Sequence, residues 1–169
     1  AMEQGFTVWG DYGLGVYNSQ SLKELKRLGF AGCTASFELK LAQIRDLSKA
    51  VPMELIAYGR LPLMITENCI VYNHAGQHVC GDGLRLVDRK GARFPVVKAW
   101  GCRNEILNAK TLFLADKAAD YARLGLWGAR LMFTTESPED CVRILRRYQG
   151  QRGWQPGDYT RGLYYRDVE

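Results

Sequence analysis

Cysteines at positions 69, 80, 102 and 141 supply soft sulfur donors. Iron-sulfur clusters and structural zinc both need four such thiolates, or three and a histidine, converging at about 2.3 Å from each metal. The spacing Cys69-x10-Cys80-x21-Cys102-x38-Cys141 contains no close C-x-x-C pair, so a shared site has to be assembled by the fold. Cys69, Cys80 and Cys102 lie on one irregular excursion of the chain and form the candidate metal set. Cys141 falls in the first turn of a predicted helix, where a thiolate is favoured. It also belongs to the stripe Cys141, Ile144, Leu145, Tyr148, which has the spacing of a core-facing helix, so ligand and core cysteine both stand. His74 and His78 are alternative fourth ligands, but Gly76 between them points to a loop and to solvated side chains. Cys33 alternates with Ala31 and Ala35 and reads as strand packing.

The odd number of cysteines argues against a closed disulfide framework. The N-terminus shows no basic, apolar and small-residue succession of a secretory signal, and no apolar run is long enough to span a bilayer, so the expectation is a cytoplasmic chain with no membrane partner. Ala1-Met2 reads as a remnant ahead of Glu3 and is left out of the fold reading. A net charge of +5 and a pI near 9.0 suit an anionic partner such as RNA. Arg143, Arg146, Arg147, Arg152, Trp154 and Arg161 could grip phosphate and stack on bases, although a solvated helix face is the more favoured reading of the pattern. No Ser-His-Asp, H-E-x-x-H or nucleophile-elbow motif occurs. Asp11, Arg60 and Glu67 are candidates to line an active-site mouth, with structural ion pairing an equal alternative.

The elements that would position these groups alternate. Phe6–Trp9 reads as a strand with a glycine-rich exit, and Ser21-Leu-Lys-Glu24 as a capping box opening a helix that Gly29 ends. Phe30–Phe37 is a buried strand; Leu41, Ile44 and Leu47 mark a helix stopped before Pro52; Met53–Tyr58 is the next strand. This succession is the signature of right-handed βαβ units on a parallel sheet. The rhythm then fails. Leu61–Thr66 is extended, and Leu84–Asp88 with Arg93–Lys98 forms a hairpin whose Gly91 can take a positive φ. Thr111–Leu114, a helix from about Asp116 to Leu124, a strand at Arg130–Thr134 and a helix begun by Ser137-Pro-Glu-Asp140 restore it.

The expected fold is therefore α/β, a partial (β/α) barrel equivalent to half of a TIM-like barrel over residues 3–150. A cysteine-bearing loop and hairpin at about 68–104 interrupt it, and 151–169 form a tail rich in Gly, Arg and aromatics. About five strands are too few for an eight-fold barrel. Such a piece exposes a sheet edge or closes against another chain, a homodimer being one solution.

The stretch Tyr58-Gly-Arg-Leu-Pro-Leu-Met-Ile-Thr-Glu-Asn-Cys69 is followed in order by Asp88-Arg-Lys-Gly91, Phe94-Pro-Val96, Cys102-Arg-Asn-Glu-Ile-Leu-Asn108 and Tyr159-Thr-Arg-Gly162. Together with Gly10-Asp-Tyr12, Asn18-Ser19 and Ser36-Phe-Glu-Leu39, these motifs resemble peptidase family U-thirty-two, the collagenase-like peptidases. The resemblance implies a β/α barrel whose N-terminal strands lie outside this chain. It implies two activities: proteolysis of collagen-like or other peptides, or oxygen-independent hydroxylation of RNA bases or a quinone precursor through a cysteine-ligated iron-sulfur cluster. The expectation is the cluster, with zinc as alternative, and RNA modification as the favoured chemistry; a peptidase and a non-catalytic zinc-binding or dimerising module are the other readings. Two features depart from the family. Its motif with an acidic residue, an aromatic and a Cys-containing Ser-Gly loop is not in this chain. Asn108-Ala-Lys110 is followed by Thr111, Leu112 and Phe113, where some cluster-bearing members carry a cysteine.

Overall fold

The computed structural model describes residues 1–77 and 83–166. In chain order the elements are β1 (Trp9–Gly10), α1 (Ser19–Arg27), β2 (Gly32–Thr34), α2 (Leu41–Asp46), β3 (Met53–Gly59), β4 (Pro62–Thr66), α3 (Ile70–Ala75), β5 (Arg85–Val87), β6 (Arg93–Lys98), β7 (Asn104–Leu107), β8 (Thr111–Phe113), α4 (Ala118–Ala122), β9 (Gly128–Met132), α5 (Pro138–Tyr148) and β10 (Tyr159–Thr160). They cluster in two units, one built from Ala1–Gly59 with the chain from Leu112 onward, the other from Arg60–Thr111. The protein is mixed α/β, with a mostly parallel sheet in the first unit and a separate antiparallel sheet in the second. Among the described residues the parallel sheet does not close into a barrel.

In the first unit β1, β2, β3 and β9 lie side by side in chain order and run parallel, with register pairs Trp9↔Gly32, Cys33↔Met53 and Glu54↔Gly128. Helices α1 and α2 supply the first two crossovers, as the alternating pattern requires. The cap of α1 differs from the expected box. Asn18 is the N-cap, its Oδ1 accepting from the Ser21 amide at 2.9 Å, and Glu24 pairs with Arg27 instead. Asn caps as well as Ser, and starting the helix earlier adds Ser19, Gln20 and Ser21 to it. Helix α5 begins as its sequence predicts, with the Ser137 hydroxyl accepting from Asp140 N at 3.2 Å and Pro138 in the first turn.

The sheet forks at the end of β3. Tyr58 and Gly59 pair with Leu131 and Met132 of β9 and also, antiparallel, with Phe113 and Leu112 of β8. The tail then joins the fold: β10 adds to β8, and Tyr164, only 2% exposed, donates its hydroxyl to the Ile56 carbonyl at 2.9 Å. Tyr58, Phe113 and Ile144 form a buried cluster against which Tyr148, Trp154 and Tyr159 pack. Three of the arginines considered for RNA contact fasten this tail. Arg147 Nε donates to the Trp154 carbonyl at 3.0 Å, Arg143 lies over the Trp154 ring at 5.2 Å, and Arg161 makes a fork to Asp116 at 2.6 and 2.7 Å. These guanidiniums are engaged within the chain.

The second unit is a four-stranded sheet in the order β4-β7-β6-β5. The hairpin β5–β6 forms where expected, its turn held by Asp88 Oδ1, which accepts from Lys90 N at 2.8 Å and Ala92 N at 2.9 Å, with Gly91 at φ 81. The central strand β7 is not apparent in the sequence, because its short Asn-Glu-Ile-Leu run alternates poorly and follows a Gly-Cys-Arg break. Yet it joins the extended Pro62–Thr66 run to the hairpin.

Strand β7 carries a half-buried carboxylate, Glu105, whose register partners are Ile65 and Val97. Burial alone pushes its pKa upward, and no cation pairs with it among the described residues. A raised folded-state pKa means that the folded chain holds the proton more tightly than the unfolded one, so stability is lost as pH rises above the ordinary carboxyl value. Glu105→Gln is therefore expected to raise the thermal midpoint at pH 7, and the gain should disappear as pH falls below 4.5, the ordinary value. A variant that melts no higher than the parent at pH 7 would contradict this.

Candidate metal centre

Cys69 and Cys102 are brought together by strand register. Thr66, the last residue of β4, is the register partner of Asn104, the first of β7. Cys69 stands three residues beyond that pair and Cys102 two before it, so both occupy the same open end of the β4–β7 ladder. Their side chains are neighbours, near enough for Cys69 to shift the Cys102 thiol.

Each thiol is held by its own local structure. Cys69 is the N-cap of α3, and its Sγ accepts from Tyr72 N at 3.4 Å. Asn104, 1% exposed, turns its Oδ1 to the Ile70 amide at 2.7 Å and so ties the start of α3 to β7. Thr66 Oγ1 donates to the Asn68 carbonyl at 2.8 Å, closing the intervening turn. Cys102 follows Gly101 in a 3-10 turn in which both residues are left-handed, at φ 69 and φ 65. Cys102 is the only non-glycine residue with positive φ among those described. A side chain in that region costs about 1–2 kcal/mol, and such outliers persist where their surroundings over-determine them.

The Cys102 thiol is pushed above its ordinary pKa, first by desolvation and then by the hydrogen bond to, and charge of, Cys69, while Lys98 pulls the other way. Two neighbouring thiols resist joint ionisation without a cation between them, whereas a soft metal ion binds both as thiolates and releases their protons. Two neighbouring thiols are half of the four-donor set that a thiolate-ligated metal needs.

Cys80 and His78 lie in residues 78–82, outside the described residues. Cys141 belongs to the other unit, half-buried in the first turn of α5, with the expected core stripe realised at Ile144 (1% exposed) but not at Leu145 (47%). His74 is in the last turn of α3, which Gly76 ends at φ 65. The glycine that pointed to a loop is thus a helix terminator. Among the described residues no three His, Cys, Asp or Glu side chains converge on a metal position. Cys33 is fully buried in β2, its pKa pushed up to about 11 chiefly by burial and then by Glu54, the packing role its alternation predicts.

The charged candidates for an active-site mouth are all paired. Asp11 Oδ1 accepts from Tyr12 N at 2.7 Å and from Arg130 at 2.6 Å, and Arg130 also reaches Thr34 at 3.2 Å and Glu54 at 3.8 Å. Arg60 donates to the Asn108 and Ala109 carbonyls at 2.9 and 2.5 Å. Glu67 pairs with Arg103 at 2.9 Å. Sequence reasoning missed Asn104 as a positioning residue; a lone Asn opening a β-prone run was the signal available. It also missed Arg130, whose strand position was legible but whose partners on β2, β3 and the exit of β1 were not.

No family model, curated protein or solved structure matches the chain. No helix among the described residues is long and apolar enough to cross a membrane.

Proposed function

We propose that this chain is the closing portion of a β/α-barrel enzyme resembling the U-thirty-two family, and that its antiparallel unit holds a thiolate-ligated iron-sulfur cluster serving RNA modification in the cytoplasm. The observation that carries the reading is the juxtaposition of Cys69 and Cys102 at one end of the β4–β7 ladder, two residues far apart in sequence and each fixed by a buried or strained local structure. Support for the barrel portion comes from the chain-order, all-parallel arrangement of β1, β2, β3 and β9, the succession a barrel segment requires and a doubly wound sheet breaks. Cys69 and Cys102 would hold the cluster, with Cys80 on the same excursion and His74 or His78 as candidates to complete it. A bound cluster supplies one-electron chemistry. Lys98, which already lowers the Cys102 pKa, and the Tyr72 amide on Cys69 would stabilise the sulfur charge.

The test is metal and sulfide analysis of the protein prepared without oxygen, alongside Cys69→Ser and Cys102→Ser. The expected result is brown protein with stoichiometric iron and sulfide in the parent, and loss of most of both in either variant. Zinc without iron would replace the cluster with a structural site, and metal-free protein would overturn the proposal.

A further inference from the structure

The positive charge of the chain is concentrated. Residues 60–111 contain eight lysines and arginines against four acidic residues, so this stretch carries +4 of the net +5. Within it the exposed cations crowd onto the hairpin and its exit. Arg85, Arg89, Lys90, Arg93 and Lys98 are all exposed, and no carboxylate pairs with them among the described residues. The one acid in the turn, Asp88, is occupied by backbone amides. Arg85 and Arg93 share a face of the ribbon, because Arg85 is opposite Pro95 and Arg93 opposite Val87. Directly after β6 comes Trp100, 86% exposed, with the Arg103 guanidinium 5.8 Å from its ring. An indole this open has no packing role. A π-face bordered by cations is the arrangement on which an unpaired base stacks while its neighbouring phosphates are neutralised.

We infer that the β5–β6 hairpin and Trp100 form a binding surface for an unpaired stretch of RNA, the five exposed cations taking phosphates and the indole taking a base. This deepens, and rests on, the reading of the chain as part of an RNA-modifying enzyme. It assigns RNA contact to the antiparallel unit rather than to the α5 and tail arginines, three of which are engaged in holding the tail. Duplex RNA fits less well, because its bases are stacked away from a side chain.

The test is fluorescence anisotropy of the full chain with a labelled single-stranded RNA oligonucleotide, with a duplex of the same sequence for comparison. Five phosphate contacts predict a single-strand slope of about −3.5 in log K against log salt, roughly 100-fold weaker binding at 200 than at 50 mM. Trp100→Ala should weaken binding about 10-fold at unchanged slope, and the double variant Arg89→Gln/Lys90→Gln should lower the slope by about 1.4. Both changes are at exposed positions, and Arg152→Gln in the other unit should leave binding unchanged. Any of four results would overturn the inference: no binding at low salt, equal affinity for duplex, variants that bind like the parent, or binding to anionic lipid vesicles that RNA does not compete. Iron content measured on the same samples separates the two proposals. Loss of RNA binding with the cluster intact sinks this surface alone, and RNA binding without a cluster sinks the metal reading alone.

Discussion

Phe113→Ala is expected to lower the unfolding free energy by about 3–5 kcal/mol. The ring is fully buried and lies where three late segments meet: Tyr148 of α5 at 6.0 Å, Trp154 at 6.1 Å and Tyr159 of β10 at 5.5 Å. Truncation removes the transfer free energy of an aromatic side chain and leaves a cavity that its neighbours cannot fill. Tyr148 is fixed by its hydroxyl, which donates to the Ala57 carbonyl at 2.6 Å and accepts from Leu114 N at 3.0 Å. Arg147 and Arg161 also lose the ring face beneath them, at 5.9 and 6.0 Å. Urea titration followed by circular dichroism reads the loss as a lower midpoint. For comparison, Val142→Ala on the half-exposed side of α5 should change stability by no more than about 0.5 kcal/mol. A Phe113→Ala loss below about 1 kcal/mol would show that the tail and α5 do not close over this position.

Gly59→Ala is the second large effect, and it arises from backbone rather than packing. Gly59 stands at the fork of the sheet with φ 134, a conformation that side-chain-bearing residues rarely adopt. A Cβ there would lie 2.3 Å from the Met132 carbonyl oxygen, a contact with backbone that no rotamer change relieves. Either β9 moves away from β3, breaking the Gly59↔Met132 register pair, or β3 rotates and disturbs Leu112 on β8. Strain in such a region costs about 1–3 kcal/mol before any displacement, so a total loss of roughly 3 kcal/mol or more is expected. Gly76→Ala is the informative contrast: its φ is 65, nothing lies within 4 Å of the added carbon, and it should cost only about 1–2 kcal/mol. Equal losses at the two glycines would show that the close approach of β9 at Gly59 does not govern stability there.

Both effects belong to the region of the first unit where β3 meets strands from two directions. Along the chain β3 is followed directly by Arg60 and β4, the first residues of the antiparallel unit. Glu105→Gln and the cysteine variants act within that second unit and are expected to leave the Phe113 cluster intact. Mutations in the two units thus give separable readouts of stability and of thiol chemistry.

Much of the local structure was legible in the amino-acid order. Ser137-Pro138 opens α5, Asp88 and Gly91 turn the hairpin, and Met53–Tyr58 reads directly as a strand, since each depends on neighbours within a few residues. The alternation that predicted parallel βαβ units was equally plain. Less legible were elements whose stability comes from elsewhere. Strand β7 exists because β4 and β6 flank it; α3 is six residues long and is secured by a side chain from β7; β10 and Tyr164 are held by β8 and the Ile56 carbonyl. None of these segments carries enough periodic apolar character to declare itself.

The candidate centre divides in the same way. The sequence by itself determined the donor types, their placement on an excursion between two α/β stretches, and the excess of positive charge around them. Only the tertiary structure decided that Cys69 and Cys102 are neighbours, that Asn104 ties α3 to β7, and that three of the α5 and tail arginines are bound internally. The reason is register: the Thr66–Asn104 contact spans 38 residues, and cross-strand pairing over that distance follows from the packing of the whole sheet, which spacing along the chain does not encode.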